Sequence, residues 1–474
     1  MVKIKSLLFV LLIGSLVAGN MISSTGCANM GQPTGGPKDS LPPRMVTVKP
    51  LDSTRNFTGN KIVFEFDEFV QIDNVQENLL VSPTPKINPI VTGKLRTVTV
   101  TIKDTLEENT TYSIDFGKAI KDVNEGNALR NFRYIYSTGP QLDSLGFSGK
   151  VIIAENGKTD STLIVLLHSS QDDSAMIKDR PRYVARLDSS GNFQFRNLPP
   201  GIFSIYALKD EGGQRKYMSK TQLFAFADST INTQEPRNIT LYAYLEKDTV
   251  PVKKPSTGAG RQGNKPPAPE SRKFRIETNT SNGQFDLLDT LSFQFRTAPL
   301  RFFDSTRLQF TDEKYKPLTG YRFIRDTSNT KVSLIYSWTP NTAYNIILDT
   351  LFAEDTLGLR LPKTDTLAFR TKKESEYGLV RLRFINLDLA QHPVLQFIQS
   401  EKVVYSHVFT SRDFNARLFK PGEYELRILL DRNRNGIWDP GDFFGTKIQP
   451  EKVMPVPRKV NIKANWDNEI DITL

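Results

Sequence analysis

An all-β chain of tandem β-sandwich modules, repeated twice behind a cleaved signal peptide, is the fold class this sequence predicts. Three observations carry it. Short runs alternating apolar with other residues recur along the chain, among them KIVFEFDEF (61–69), TVTVTI (97–102), TYSIDF (111–116), LSFQFR (291–296) and YELRILL (424–430). Each is rich in Val, Ile, Phe, Tyr or Leu and lies near Asn, Gly, Pro or Asp, the signature of short strands closed by turns. No long helical periodicity follows the first twenty residues. The chain also repeats itself: NTTYSI at Asn109–Ile114 returns as NTAYNI at Asn341–Ile346, and FQFRNLPPGIFSIYALKD (193–210) aligns without a gap to FNARLFKPGEYELRILLD (414–431).

Taken in order, the chain opens with Lys3 and Lys5 before the apolar run SLLFVLLIGSLVAG. That run is short of the ~20 apolar residues a comfortable membrane span needs, so residues 1–26 read as a secretory signal peptide. Cys27 is the sole cysteine of the 474 residues and has no partner for an internal disulfide. Thr25 and Gly26 precede it as small residues do at a lipoprotein signal-peptidase site, although Ser24 stands where Leu is usual. We read Cys27 as the lipid-bearing residue; ordinary cleavage near Gly19 is the alternative. A flexible tether, 27–42, leads to a first module at 43–139. There the strand IVFEF (62–66), the NTTYSI repeat, Asp122 and a closing YSTG (136–139) follow one another.

A second module spans 146–246 and carries the Pro200-Gly201 hairpin. Residues 247–273 form a basic Pro/Gly linker, VPVKKPSTGAGRQGNKPPAPESRK at its heart. The third module, 274–371, repeats the first: LSFQF (291–295) answers IVFEF, and Asp355 follows NTAYNI by nine residues as Asp122 follows NTTYSI by eight. The fourth, 378–474, repeats the second, with Pro421-Gly422 in the place of Pro200-Gly201. Modules of about 100 residues suit a seven-stranded sandwich.

The motifs PPRMVTVKP, VFEFDEFV and NTTYSIDFGKAIKDVNEGNAL resemble bacterial Ig-like domains of the SbsA type. The strand followed by NLPPGIFSIYALKD is similar to the carboxypeptidase-regulatory or transthyretin-like sandwich. With CANMGQPTGGPKDSLPP behind the signal segment, the whole layout resembles a group of Bacteroidota Ig-like-domain lipoproteins. The resemblance is strongest in the first pair of modules and weaker at LRLPKTDTLAFRTK in the third. It implies an outer-membrane lipoprotein and this architecture rather than a reaction, and the expected role is a non-catalytic binding or scaffolding component of the envelope. The alternative is a surface adhesin or glycan-binding protein.

The formal charge of +10 does not imply a nucleic-acid partner. Residues 251–273 alone hold six Lys or Arg against Glu270, which leaves the rest of the mature chain close to neutral and without a basic helix. The expected partners are the membrane, through the lipid anchor, and an envelope protein or glycan. No acidic residue lies between Cys27 and Asp39. In the lipoproteins this chain resembles, that absence favours the periplasmic side of the outer membrane over the cell surface.

Thirteen Asp-Ser/Thr-(Ala, Ile, Leu, Met, Thr or Val) triplets occur, where a shuffled chain would hold roughly two. They fit an O-glycosylation acceptor of Bacteroidota envelope proteins, and equally an Asp-capped turn that opens a strand.

Enzyme signals are thin. The three histidines, His168, His392 and His407, fall at a strand end, before a proline and in an alternating strand. No GxSxG, HExxH or phosphate-cradling loop is present. The one stretch with metal spacing is DRNRNGIWDPGD, whose Asp431, Asn433, Asn435, Ile437 carbonyl, Asp439 and Asp442 fall at the positions of a twelve-residue calcium loop. Calcium is the only cofactor the sequence suggests. Strand rather than helix flanks, Arg432 and Arg434, and Asp in place of a final Glu count against it. A hairpin is the alternative, with Asn435-Gly436 at positive φ and Trp438 packed back on the sandwich. The equivalent loop from Asp210, DEGGQRKY, lacks the distal acids altogether.

Overall fold

The computed structural model describes residues 38–235, 237–246 and 273–474. The signal segment, Cys27 and all of the basic linker but Lys273 lie outside these residues. Among the described residues secondary structure is almost wholly strand, in several small sheets, as alternation without helical period requires. No helix among them is long and apolar enough to cross a membrane.

The described residues divide at Asp143 into two compact units. In the first, the strands Met45–Lys49, Lys61–Phe66, Thr97–Thr101 and Ile90–Lys94 lie side by side in that order. A second sheet sets Thr111–Asp115 between Leu80–Ser82 and Arg133–Ser137. The alternation of KIVFEF buries Ile62, Phe64 and Phe66, which meet Ile114, Phe116, Tyr134 and Tyr136 from the other sheet. Asp122 is buried, and its carboxylate ties down the following turn by accepting the N–H groups of Glu125, Gly126 and Asn127.

The second unit contains three sandwiches. Residues 276–371 repeat the strand order just described: Ile276–Thr278, Leu291–Phe295, Lys331–Ile335 and Arg322–Arg325 in one sheet, with Ala343–Leu348 central in the other. Asp355 does there what Asp122 does in the first unit, accepting the N–H groups of Leu357 and Leu359.

The sandwiches at 145–243 and 378–473 share a different order. In the former, Leu145–Ile153 pairs antiparallel with Asn192–Leu198 and parallel with Ile239–Ala243. In the latter, Gly378–Ile385 does the same with Asp413–Phe419 and Asp467–Thr473. The facing sheets are Tyr183–Arg186, Leu163–His168, Ile202–Lys209, Phe224–Phe226 and Lys402–Val408, Pro393–Gln399, Gly422–Leu430, Lys452–Pro455. The Pro-Gly repeat marks the turn into the central strand of each.

These central strands are not one-sided. Ile202–Lys209 buries six consecutive residues from Phe203 to Leu208, and Gly422–Leu430 buries the run Leu426–Leu429. A strand buried on both faces needs a second cover, and one loop of the fourth sandwich supplies it to both: Trp438 lies on Leu429 of its own sheet and Phe443 on Tyr206 of the second sandwich.

Candidate functional site

The contact is built by residues 431–451, the excursion that carries the calcium spacing. It leaves the central strand at Leu430 and returns as the edge strand Lys452–Pro455. Its base closes on two buried carboxylates, Asp431 at 1% exposure and Glu451 at 3%. Asp431 accepts the N–H groups of Asn435 (3.2 Å) and Gly436 (2.7 Å). Glu451 accepts those of Arg432 (2.9 Å) and Asp439 (3.1 Å). Trp438 donates its indole N–H to the Glu451 carbonyl at 2.8 Å and packs against Val394, Leu429 and Val453. The turn itself differs from the expected Asn-Gly pair. Arg434 (φ 61°) and Gly436 (φ 78°) take the positive angles, because the Asn435 side-chain Oδ1 is engaged in accepting the Ile437 N–H at 2.8 Å.

Of the six residues in the calcium spacing, five surround this turn. Asn433 and Asn435 donate their side-chain N–H groups to one Asp439 oxygen at 2.7 and 2.5 Å, which gathers three of the spaced residues at one point. Ile437 is exposed, its carbonyl lying on the same turn. Asp442 points elsewhere: its oxygens accept the N–H groups of Gly445 and Thr446, both at 2.9 Å, and these bonds hold its pKa below the usual carboxylate range. With only two carboxylates in the set, no group of three or more His, Cys, Asp or Glu with metal-holding spacing arises among the described residues.

Beyond the turn, the excursion reaches the neighbouring sandwich. The Phe443 ring lies 4.9 Å from Phe226, 5.1 Å from Phe224 and 5.6 Å from Tyr206, all on the outer face of the second module's sheet. Phe444 meets Tyr217 at 5.4 Å. Gly441 lets the chain pass: a Cβ there would stand 2.6 Å from the Tyr244 ring.

Around this aromatic plug several polar groups pair across the seam, while the buried hydroxyls of Tyr217 and Tyr244 have no hydrogen-bond partner among the described residues. Gln449 donates to the Phe226 carbonyl (3.0 Å) and to Asp228 (2.9 Å), Lys447 pairs with Asp173 at 2.8 Å, and Lys158 with Glu401 at 2.7 Å. The Val453 N–H bonds the Ala154 carbonyl at 3.0 Å, so backbone meets backbone across the seam.

The histidines form no catalytic pair with the groups they touch. His168 is buried against Tyr206, with Nε2 unpartnered, and burial lowers its pKa to about 4. His407 packs on Phe414 with its pKa lowered by burial, and His392 bonds Arg434 at 2.8 Å. In the loop at Asp210, that carboxylate accepts the Arg215 N–H at 3.1 Å.

Sequence reasoning missed Phe443, Phe444, Gln449 and Glu451. A Phe-Phe pair between two glycines in an otherwise polar loop was the signal available for the first two.

Residues 39–138 match the bacterial Ig-like domain family, and no enzyme family is matched. No curated protein matches the chain. Among solved structures, the Bacillus anthracis TIE protein is 12% identical, with 94% of this chain and 75% of that one covered at a TM-score of 0.16. The N-terminal part of the S-layer protein SbsC is 18% identical over 35% and 40%, also at 0.16. BcpA, the major pilin subunit of Bacillus cereus, is 9% identical over 69% and 98%, again at 0.16. Likenesses this loose bear on neither fold nor function.

Proposed function

We propose that this protein is a non-catalytic scaffolding or binding component of a bacterial envelope, held at the outer membrane through a lipid on Cys27. The observation that carries the reading is the use made of residues 431–451. The loop with the richest chemistry in the chain is occupied in joining two sandwiches, with Phe443 as the plug. Such a joint makes a stiff pair of modules, which suits presentation of sheet edges and loops to a partner. The bacterial Ig-like match at 39–138 supports the same class.

The anchor is read as facing the periplasm. Protease treatment of whole cells tests this: intact protein after shaving is expected, and its loss would favour the surface adhesin. Crosslinking in envelopes followed by affinity purification tests the scaffold itself, and recovery of the protein alone at every crosslinker length would overturn it.

Calcium enters as a stiffener of the excursion, held by Asp431, Asn433, Asn435, the Ile437 carbonyl and Asp439. Melting with calcium and with chelator should differ by several degrees in the wild type and not in Asp431→Ala; equal melting in both would remove calcium from the proposal.

O-glycosylation belongs to the same reading. Twelve of the thirteen triplets lie among the described residues, and their Ser or Thr is exposed in ten, Ser174 and Thr350 being half-buried. Intact mass of the native protein should exceed that of the cleaved chain plus its lipid; a matching mass would exclude glycans.

A further inference from the structure

Where the two sandwiches meet, one side of the seam opens into a groove of about 700 Å3. That is within the ~300–1,000 Å3 usual for small-ligand sites. Both modules contribute to it. Phe226 to Ser229, Arg237 to Thr240 and Tyr242 line it from the second, and Arg432, Lys447 to Pro450 and Lys452 from the fourth.

Its lining carries four cations, Arg237, Arg432, Lys447 and Lys452, against one carboxylate, Asp228. Lys447 is neutralised by Asp173, and Asp228 accepts from Gln449. The other three cations are exposed and have no ion pair among the described residues. Arg237 donates to Ser229 Oγ at 2.5 Å, Arg432 donates to the Gln449 carbonyl at 3.0 Å, and the Lys452 ammonium sits 4.3 Å from the centre of the Tyr242 ring. Arg432 and Lys452 are thus each held by a neutral partner, which fixes the side chain and leaves its charge uncompensated.

We infer that this seam groove binds an acidic polysaccharide, a glycan bearing uronate carboxylates, with Arg237, Arg432 and Lys452 as its charge-reading residues. The inference rests on the binding role proposed above and specifies its ligand. Hydroxyl and amide groups of Ser229, Asn238 and Thr240 line the groove between the cations and suit a ligand dense in hydroxyls. A nucleic acid fits less well, because single strands bind on successive aromatic platforms. Here Tyr242 is the one aromatic ring facing the groove beside Phe226, and Lys452 already lies over it. The groove exists only while the modules are docked, so binding and docking are coupled.

The test uses the intact protein purified from envelopes in detergent, titrated calorimetrically with hexagalacturonate, cellohexaose and a twelve-nucleotide single-stranded DNA. Hexagalacturonate should bind, and its affinity should fall at least tenfold between low and moderate salt, as exposed charge contacts do. Cellohexaose should not bind. The double variant Arg432→Glu/Lys452→Glu should weaken hexagalacturonate at least tenfold while 441–449 stays protected from limited proteolysis, which shows the seam still docked, and Arg237→Glu should act in the same direction. A double reversal of Lys363 and Lys402, exposed lysines outside the groove, should change nothing.

Absence of hexagalacturonate binding, equal binding of the DNA, or equal binding by the Arg432→Glu/Lys452→Glu variant each overturns the inference. If the glycan fails to bind while crosslinking still recovers a protein partner, this ligand falls and the scaffold role stands.

Discussion

His168 ends its strand 2% exposed, beside Tyr206, with one ring nitrogen lacking a partner. Burial holds its pKa near 4, against 6.5 for a free histidine. Between those values the unfolded chain binds the proton and the folded one does not. This residue therefore costs no stability above about pH 6.5, and stability falls as pH drops from there toward 4. The slope approaches ~1.4 kcal/mol per pH unit before levelling off. Urea melts at pH 7, 5.5 and 4.5 should show this excess loss in the wild type and not in His168→Leu, which removes the titration.

Asp122 offers a second check. It is buried, and although burial alone would raise its pKa, three backbone N–H groups hold it below the usual range. Asp122→Ala should destabilise the first unit by ~2–3 kcal/mol, since a charged acceptor is lost and its donors stay behind. Denaturant unfolding followed by tyrosine fluorescence measures it. The aspartate's position in the repeat was legible from sequence, but its role was not, because the three donors it satisfies are backbone groups common to every residue.

At the scale of elements, strands and their pairing in repeats were the most legible feature, since a period of two and recurring turn residues are both local signals. The 431–451 excursion was legible only in part. Its acid spacing, its glycine and the inward Trp438 could be read. The positive φ moved from Asn435 to Arg434 because side chain-to-backbone bonds compete with the simple hairpin. Asp442 was drawn off by the next turn for the same reason. What sequence could not show was the surface on which Phe443 lands, more than two hundred residues earlier in the chain. Phe443→Ala should weaken the docking by ~3–5 kcal/mol, the usual cost of removing a buried phenylalanine ring. We expect limited proteolysis to reach 441–449 in that variant while the circular dichroism of the strands is retained. Unchanged protection would mean that the polar contacts of Gln449 and Lys447 hold the seam unaided.

For the whole molecule, the seam joins parts that the sequence separates by a linker and an entire sandwich. The two halves of the second unit are therefore held by more than their covalent connection. A protein cut once within 251–265, at a protease site introduced there, should elute from gel filtration as one species in native buffer. Combined with Phe443→Ala, the same cut should release two fragments.

The seam also settles how a load would travel. Residues 144 and 474 belong to sandwiches that grip each other directly, so tension applied between them runs through the Val453–Ala154 backbone bond and the Phe443 plug. The third sandwich, tied to the fourth by Lys420 and Asp289 at 2.7 Å, lies outside that path and takes load only when the grip shears. Only then would the roughly 130 residues between the two gripping sandwiches come under load, in the manner of a shock absorber with a fixed release threshold.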